Sequence, residues 1–439
     1  MPKTKLCNRE RLFKITAVSL GISLVCFVYT LDGTTSLYSV MSPVRTGNSD
    51  AFWTTAQVNL NTAITTANIN LETDSTSAKV FINRTRSSIY NTDRSIRVLS
   101  KETLNNIIVD NEEDCPKRQF LIYKCNKSLC GGWGDREKGI VSSFLLALLT
   151  NRTFAIYMNK PCDIENFIEP FIYDWTKCKR FLDTILISNV SEEKHVSGNR
   201  RFYHDIPEID FENLWTLQAV VMYMNAYEPV MSGIKRHKNA KSQMEWILNK
   251  TNPEIVHLVL HTLFKPKQRL MEHLTYYIKD ITHGRQLVCG HIRKGKNPSI
   301  PGDNNLPKGP PKHKTIFSFL KQYKDSTKYV IYIATDSEDV RYDAVSKFRN
   351  VVNVNRTIVH VDRLGGSEKT TDVCEGLYTV LFEQQILSLC DKLLLTRSNF
   401  GTIAAYMRGV SKDLFLYQTE TDKVFQTNLT NIQTVYGFV

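Results

Sequence analysis

The chain has 439 residues, 42% hydrophobic and 23% charged, which excludes a disordered, collagen-like or multi-span membrane protein. At roughly 150 residues per domain there is room for two or three domains and a real core. The formal charge of +12 would suggest a nucleic-acid binder, but Lys3, Lys5, Arg9, Arg11 and Lys14 against Glu10 place four of those charges in residues 1–14, and the rest is thinly spread. No nucleic acid is expected as a partner.

Residues 15–31 (ITAVSLGISLVCFVYTL) carry no charge and meet the lower limit for crossing a hydrocarbon core of about 30 Å. The basic residues before them would keep residues 1–14 cytosolic and export everything that follows. A cleaved signal peptide is the other reading. Bulky Val28, Tyr29 and Leu31, where a cleavage site wants small residues, favour an uncleaved single-pass anchor. Residues 32–112 turn rich in Thr, Ser and Asn and read as a stem; the spaced Val58, Leu60, Ile64, Ile69 and Leu71 permit a short helix, so a homodimer joined through the stem is one expectation.

Export is supported by two further counts. Beyond the apolar segment stand eight cysteines (Cys115, Cys125, Cys130, Cys162, Cys178, Cys289, Cys374 and Cys390), an even number suited to disulfides, whose connectivity cannot be read; buried small hydrophobes are the alternative. Seven N-x-S/T sequons, at Asn83, Asn126, Asn151, Asn189, Asn249, Asn355 and Asn428, suit a glycosylated luminal protein.

From about Cys115 onward, short apolar runs alternate with helical stretches, the pattern of an α/β fold with parallel sheets. A first unit reads as a strand over Gln119–Lys124, a glycine turn Gly131-Gly132-Trp133-Gly134-Asp135-Arg136, a helix over Lys138–Thr150 and a strand over Thr153–Met158. Glycines there let the backbone approach a ligand, and the following helix offers free N–H groups to an anion; a plain tight turn is the alternative. A second unit begins with a strand over Gln286–His291 ending in HIRKGK, then a Pro- and Gly-rich loop over 297–313. Cations at the carboxyl end of a strand sit where open α/β sheets bind ligands, so Arg293, Lys294 and Lys296 are candidates for clamping a diphosphate; a solvated basic loop is the alternative. His291 reads equally as a structural histidine.

Further strands are expected over Tyr329–Ala334, Thr357–Val361, Lys392–Leu395 and Leu414–Tyr417, with helices over Glu338–Phe348, Asp372–Ser388 and Ser398–Met407. Asp336 and Ser337 read as helix caps. Glu383 lies in the apolar stretch LYTVLFEQQILSL, where a buried carboxylate needs partners such as the N1 and N2 hydrogens of a guanine; an exposed helix face beside Gln384 and Gln385 is the alternative.

In order, the blocks GGWGDREKGIVSSFLLALLTNRTFAI, HIRKGK, YIATDS and LFEQQILSLCDKLLLTRSNFGTIAAYMRG resemble the GDP-fucose-dependent fucosyltransferases, among them the plant xyloglucan α1,2, N-glycan core α1,6 and bacterial nodulation types, over residues 119–418. The resemblance implies a GT-B fold of two Rossmann-like domains facing across a cleft. Residues 113–285 would be the acceptor-side domain and 286–439 the domain that binds the GDP-sugar. It implies fucose transfer from GDP-fucose to a glycan acceptor, inverting and metal-independent, at a Golgi membrane in single-pass type II topology. The family's histidine and arginine fall on His291 and Arg293, of which the resemblance implies that the arginine contacts the donor diphosphate and supports its departure. The acid that reads guanine, eight positions before the Asp of its S-x-x-D, falls on Glu383, and the small polar pair on Ser398 and Asn399. Gly132, Gly134, Asp135 and Arg136 complete the implied donor site with Lys294, which stands where the α1,6 type has a second arginine. Lys296 stands where an acid often closes the motif.

No D-x-D triplet occurs, so a metal-bridged donor site is not expected. Asp135, Glu137 and Asp336 are candidates for an acceptor base. A transferase using another nucleotide sugar, or an inactive luminal glycan-binding homologue, would share most of these features.

Overall fold

The computed structural model describes residues 98–436 except 127–129, 188–190, 196–198, 225–227, 355, 357 and 363–369, together with the backbone of three strands near the N-terminus. Those strands, Phe13–Ser19, Ile22–Leu31 and Thr34–Met41, form an antiparallel meander within a compact unit, Met1–Thr76. Residues 15–19 and 22–31 of the segment expected to cross a membrane thus have strand backbone, in keeping with their β-branched and aromatic residues. Its side chains, and the remainder of residues 1–97 including most of the expected stem, lie outside the described residues. No described helix is long and apolar enough to cross a membrane.

The second unit, Ser77–Val439, contains two largely parallel sheets. The first is built from β1 (Phe120–Cys125), β2 (Thr153–Met158), β3 (Ser191–His195) and β4 (Ala219–Tyr223) in the order β2-β1-β4-β3, all parallel. Continuous apolar runs such as FLIY and TFAI form them because both faces are covered. The crossover from β1 to β2 is α1 (Trp133–Leu149), buried along most of its length. It starts earlier than expected: Gly132 is the N-cap, so Gly134, Asp135 and Arg136 form its first turn.

The second sheet runs β7-β6-β5-β8-β9-β10, from β5 (Gln286–Ile292), β6 (Tyr329–Thr335), β7 (Val351–Val352), β8 (Lys392–Leu395), β9 (Leu414–Gln418) and β10 (Lys423–Gln426). All pairs are parallel except β9 with β10. Strand order reverses around β5, where the carboxyl ends of parallel strands open a crevice. Helices α2 (Asn252–Leu263), α3 (Gln268–Thr282), α4 (Glu338–Lys347), α5 (Thr370–Leu389) and α6 (Asn399–Arg408) cover the sheets and join them. The strand expected over residues 357–361 does not form. The sheet edge ends at Val351–Val352, and the chain then leaves it to wall a cavity.

One apolar core runs through both sheets, taking in Leu121 and Tyr123 of β1, Leu287 of β5, Leu393 of β8 and Leu414 of β9. Helix α6 packs on α1 and α2, and His257 and His261 of α2 lie 3.0 and 3.2 Å from the carbonyls of Tyr406 and Met407 at its last turn. Disulfides join Cys115 to Cys178, Cys125 to Cys130, Cys162 to Cys374 and Cys289 to Cys390, pairing all eight cysteines. Cys162 follows β2, and its partner lies on α5 under the second sheet.

Candidate functional site

A cavity of about 360 Å³ opens at the carboxyl end of β5. The parallel register sets Ile292 beside Thr335 and His291 beside Leu395, so the residues just beyond three strands (Arg293, Asp336 and Thr396) converge at one rim. Thr396 Oγ1 accepts the Arg293 N–H at 2.8 Å, and Thr335 Oγ1 donates to the Ile292 carbonyl at 2.7 Å, locking the strand end.

Arg293 is not the bare cation its sequence suggests. Its Nη1 donates to Asp336 and its Nη2 to Asp303, so two carboxylates fix the fork and three of its five N–H donors stay available. Asp336 also accepts the backbone N–H groups of Lys294 (2.7 Å) and Gly295 (2.9 Å), which makes it a brace for this turn. It is not the expected cap: the first N–H of α4 goes to Ser299 Oγ at 2.9 Å, and Ser337 makes no side-chain cap.

His291 lines the cavity but is only 5% exposed. Burial and then the Arg293 charge lower its pKa to about 3, so the ring is neutral at physiological pH. Its Nδ1 has no hydrogen-bond partner and faces Gly401, where any Cβ would come within 2.8 Å of it.

At the other end of the cavity, Glu383 of α5 accepts a hydrogen bond from Tyr332 at 3.2 Å and lies 4.0 Å from Arg341. Burial raises its pKa to about 7, with Arg341 and then the Tyr332 hydroxyl opposing the shift. Arg341 is held by Glu338 (2.9 Å) and the Arg356 carbonyl (2.7 Å).

Two helix N-termini face each other across the remaining wall. Ser398 is the N-cap of α6 and makes no side-chain cap, leaving first-turn N–H groups directed to the cavity. Asn399 Nδ2 donates to Asp135 Oδ1 at 2.6 Å, joining positions 264 apart in the chain. Gly134 lets this approach happen, since a Cβ there would stand 2.6 Å from the Asn399 carbonyl carbon.

Of the residues expected at a donor site, Gly132, Gly134, Asp135, His291, Arg293, Glu383, Ser398 and Asn399 wall this single cavity. Lys294 and Arg136 do not. Side chains alternate along an extended run, so Lys294 turns away from Arg293 and donates to the Pro311 carbonyl at 2.9 Å. Arg136, one helical step beyond Asp135, is buried and serves the Gly131 carbonyl (2.8 Å), the Lys160 and Val361 carbonyls and Asp362 (3.6 Å). Lys296 is exposed. Glu137 is buried in a chain in which Trp133 donates to Gln384 (2.7 Å) and Gln384 to Glu137 (2.6 Å); burial holds its pKa well above the ordinary range, and it does not reach the cavity.

Sequence reasoning missed Arg341, Arg397 and His360, which also line the wall. His360 Nε2 lies 3.8 Å from Asp303, itself the partner of Arg293. Arg341 sits three residues after Glu338 and reads in sequence as a surface helix pair; only the folded chain, which sets its guanidinium 4.0 Å from Glu383, reveals its other partner. Among the described residues no group of three or more His, Cys, Asp or Glu side chains could hold a metal ion.

No family model and no curated protein matches the chain. Similar solved structures include an Arabidopsis thaliana FUT1 variant in complex with GDP, at 13% identity and TM-score 0.46 over 72% of this chain and 74% of that one. Another is NodZ alpha-1,6-fucosyltransferase soaked with GDP-fucose, at 12% identity and TM-score 0.43 over 71% of this chain and 99% of that one. Fucosyltransferase NodZ from Bradyrhizobium gives the same values.

Proposed function

We propose that this chain transfers fucose from GDP-fucose to a glycan acceptor, with inversion and without a metal, in the lumen of the secretory pathway. The observation that carries the reading is the convergence of Arg293, Glu383, Ser398 and the Gly132–Asp135 turn on one cavity at a strand-order reversal. Glu383 at one end offers a carboxylate to guanine N1–H and N2–H. Arg293 and the first turn of α6 offer donors to the diphosphate.

As the glycosidic bond opens, positive charge grows on the sugar ring and negative charge on the leaving β-phosphate. A guanidinium already positioned by Asp303 and Asp336 stabilises the leaving group without reorganising. These two acids also supply the carboxylate that position 296 lacks, which speaks for an active enzyme over a glycan-binding homologue. Four disulfides and exposed sequon asparagines at 151, 249 and 428 support a luminal setting, reached through the N-terminal apolar segment as a single-pass anchor.

The test is a nucleotide-release assay of the full chain with GDP-fucose and other nucleotide sugars over a glycan panel. Selective GDP release with a fucosylated product is expected, its anomeric configuration inverted by NMR and its rate unchanged in EDTA. Turnover of a uridine or cytidine sugar instead would reject the assignment. GDP binding with no turnover on any acceptor would indicate the glycan-binding homologue.

A further inference from the structure

A second cavity, of about 480 Å³, lies at the opposite end of the first sheet, where Gln119 and Arg152 precede β1 and β2. That volume falls within the usual range for a small-molecule site. Its wall is unlike that of the first: Gln119, Glu212, Asn239 and Gln243 all line it, and among the described residues none of these four side chains has a hydrogen-bond partner. The base is aromatic, with the Phe211 and Trp215 rings tilted at 47° to one another, 4.5 Å apart, and Arg152 held by the Leu217 and Trp215 carbonyls. The cations of the wall are engaged, Lys238 lying 3.9 Å from Asp210 and Arg152 donating to carbonyls. The planar amides and the Glu212 carboxylate around an aromatic floor therefore match vicinal hydroxyls and an acetamido group, each of which donates and accepts, better than they match an anion or an apolar ligand.

Asn151, the asparagine of an N-x-T sequon, is part of the same wall and is exposed. It follows α1 directly, in the left-handed backbone region (φ 52°) that asparagine tolerates. A glycan linked to its Nδ2 begins at the rim of the cavity. A saccharide tethered beside its site is present at millimolar effective concentration, enough to keep even a weak site filled.

We infer that this cavity is a saccharide site whose occupant is the N-acetylglucosamine core of the chain's own N-linked glycan at Asn151. The inference rests on the luminal setting proposed above but not on the transfer reaction. It gives the Asn151 glycan a structural role, covering polar side chains at the amino end of the sheet, that the glycans at Asn249 and Asn428 do not share.

The test uses the full chain made in mammalian cells with glycan processing blocked at the high-mannose stage, then digested natively with endoglycosidase H, which cuts between the two core N-acetylglucosamines. Site-resolved mass spectrometry is expected to show Asn249 and Asn428 trimmed and Asn151 trimmed about tenfold more slowly, the factor for a tether whose effective concentration is ten times a weak Kd. The N239A/Q243A double variant should bring Asn151 to the rate of the other sites. Absence of glycan from all three sites would instead refute the luminal setting.

Occupied Asn249 and Asn428 with Asn151 bare or trimmed equally fast would overturn the inference, as would slow trimming that the double variant leaves unchanged. Free N,N′-diacetylchitobiose, followed by NMR, separates the two sources of saccharide. Binding to N151Q but not to the glycosylated chain supports the tethered occupant. Equal binding to both would assign the cavity to an external glycan and overturn it, and binding to neither would refute a saccharide site.

Discussion

Arg293 reaches Asp336 across the carboxyl ends of two neighbouring parallel strands, and the same carboxylate receives the backbone N–H groups of Lys294 and Gly295. The guanidinium is therefore oriented before any ligand arrives. Arg293→Ala should lower turnover on the order of 10²–10³, the usual cost of removing one preorganised charge-stabilising donor. Near-normal turnover in a steady-state assay would remove Arg293 from the mechanism.

Asp336→Asn separates orientation from charge. The isosteric amide keeps the side chain's size but can accept only one of the two backbone N–H groups, loosens its hold on Arg293 and removes a negative charge from the anion site. Turnover should fall roughly tenfold, equivalent to about 1.4 kcal/mol, while GDP affinity is undiminished or higher. Calorimetric titration of GDP beside kcat measurements would show the split; parallel losses in both would mean that Asp336 merely supports the fold.

Glu383 sets a pH dependence. Its pKa is raised to about 7, so the group is largely protonated near pH 6 and ionised near pH 8. Only the carboxylate accepts both guanine hydrogens, and GDP affinity should accordingly rise roughly tenfold across that interval. His291, with its pKa lowered to about 3, stays neutral throughout and adds nothing. Glu383→Gln should weaken binding and flatten the profile; a wild-type profile already flat would place guanine elsewhere.

Gly134→Ala would drive a methyl group into the backbone at Asn399 and Phe400, whereas a Cβ at Gly132 meets its nearest neighbour, His360, at an ordinary 3.7 Å. The first substitution should cost about 1–3 kcal/mol by overpacking and should impair transfer by shifting α6. The second should be close to neutral in a thermal melt. Equal melting temperatures for the two variants would contradict the close approach of α1 and α6.

Loss of the Cys162–Cys374 bridge, which spans 212 positions, should cost about 2–5 kcal/mol. Chemical denaturation of C162S/C374S would measure it.

Strands β1, β2, β5, β6, β8 and β9 were legible because continuous apolar runs bounded by glycine and charge admit few other readings, with β2 and β8 placed to the residue. Strands β3, β4, β7 and β10, short or polar, were not expected, and the run over 357–361 forms no strand. The cavity was legible through resemblance of four blocks, each soft by itself. What stayed hidden depends on direction and distance. Lys294 and Arg136 carry the right chemistry but face away, and sequence spacing alone does not tell which side of a strand end or helix turn meets a ligand. Arg341 and His360 belong to segments that matter only after α4 and the loop behind β7 fold over the cavity. Disulfide partners 63 to 212 positions apart could not be read at all.

The unbroken apolar interior shared by the two sheets has a kinetic corollary. Lobes that meet over such a seam, further tied by a cystine, cannot swing apart each cycle without wetting Leu and Tyr side chains on both sides. Under the proposed function, nucleotide exchange is gated by short stretches at the mouth, such as the proline-rich run after Lys296, and the pace of product escape becomes a property of those stretches.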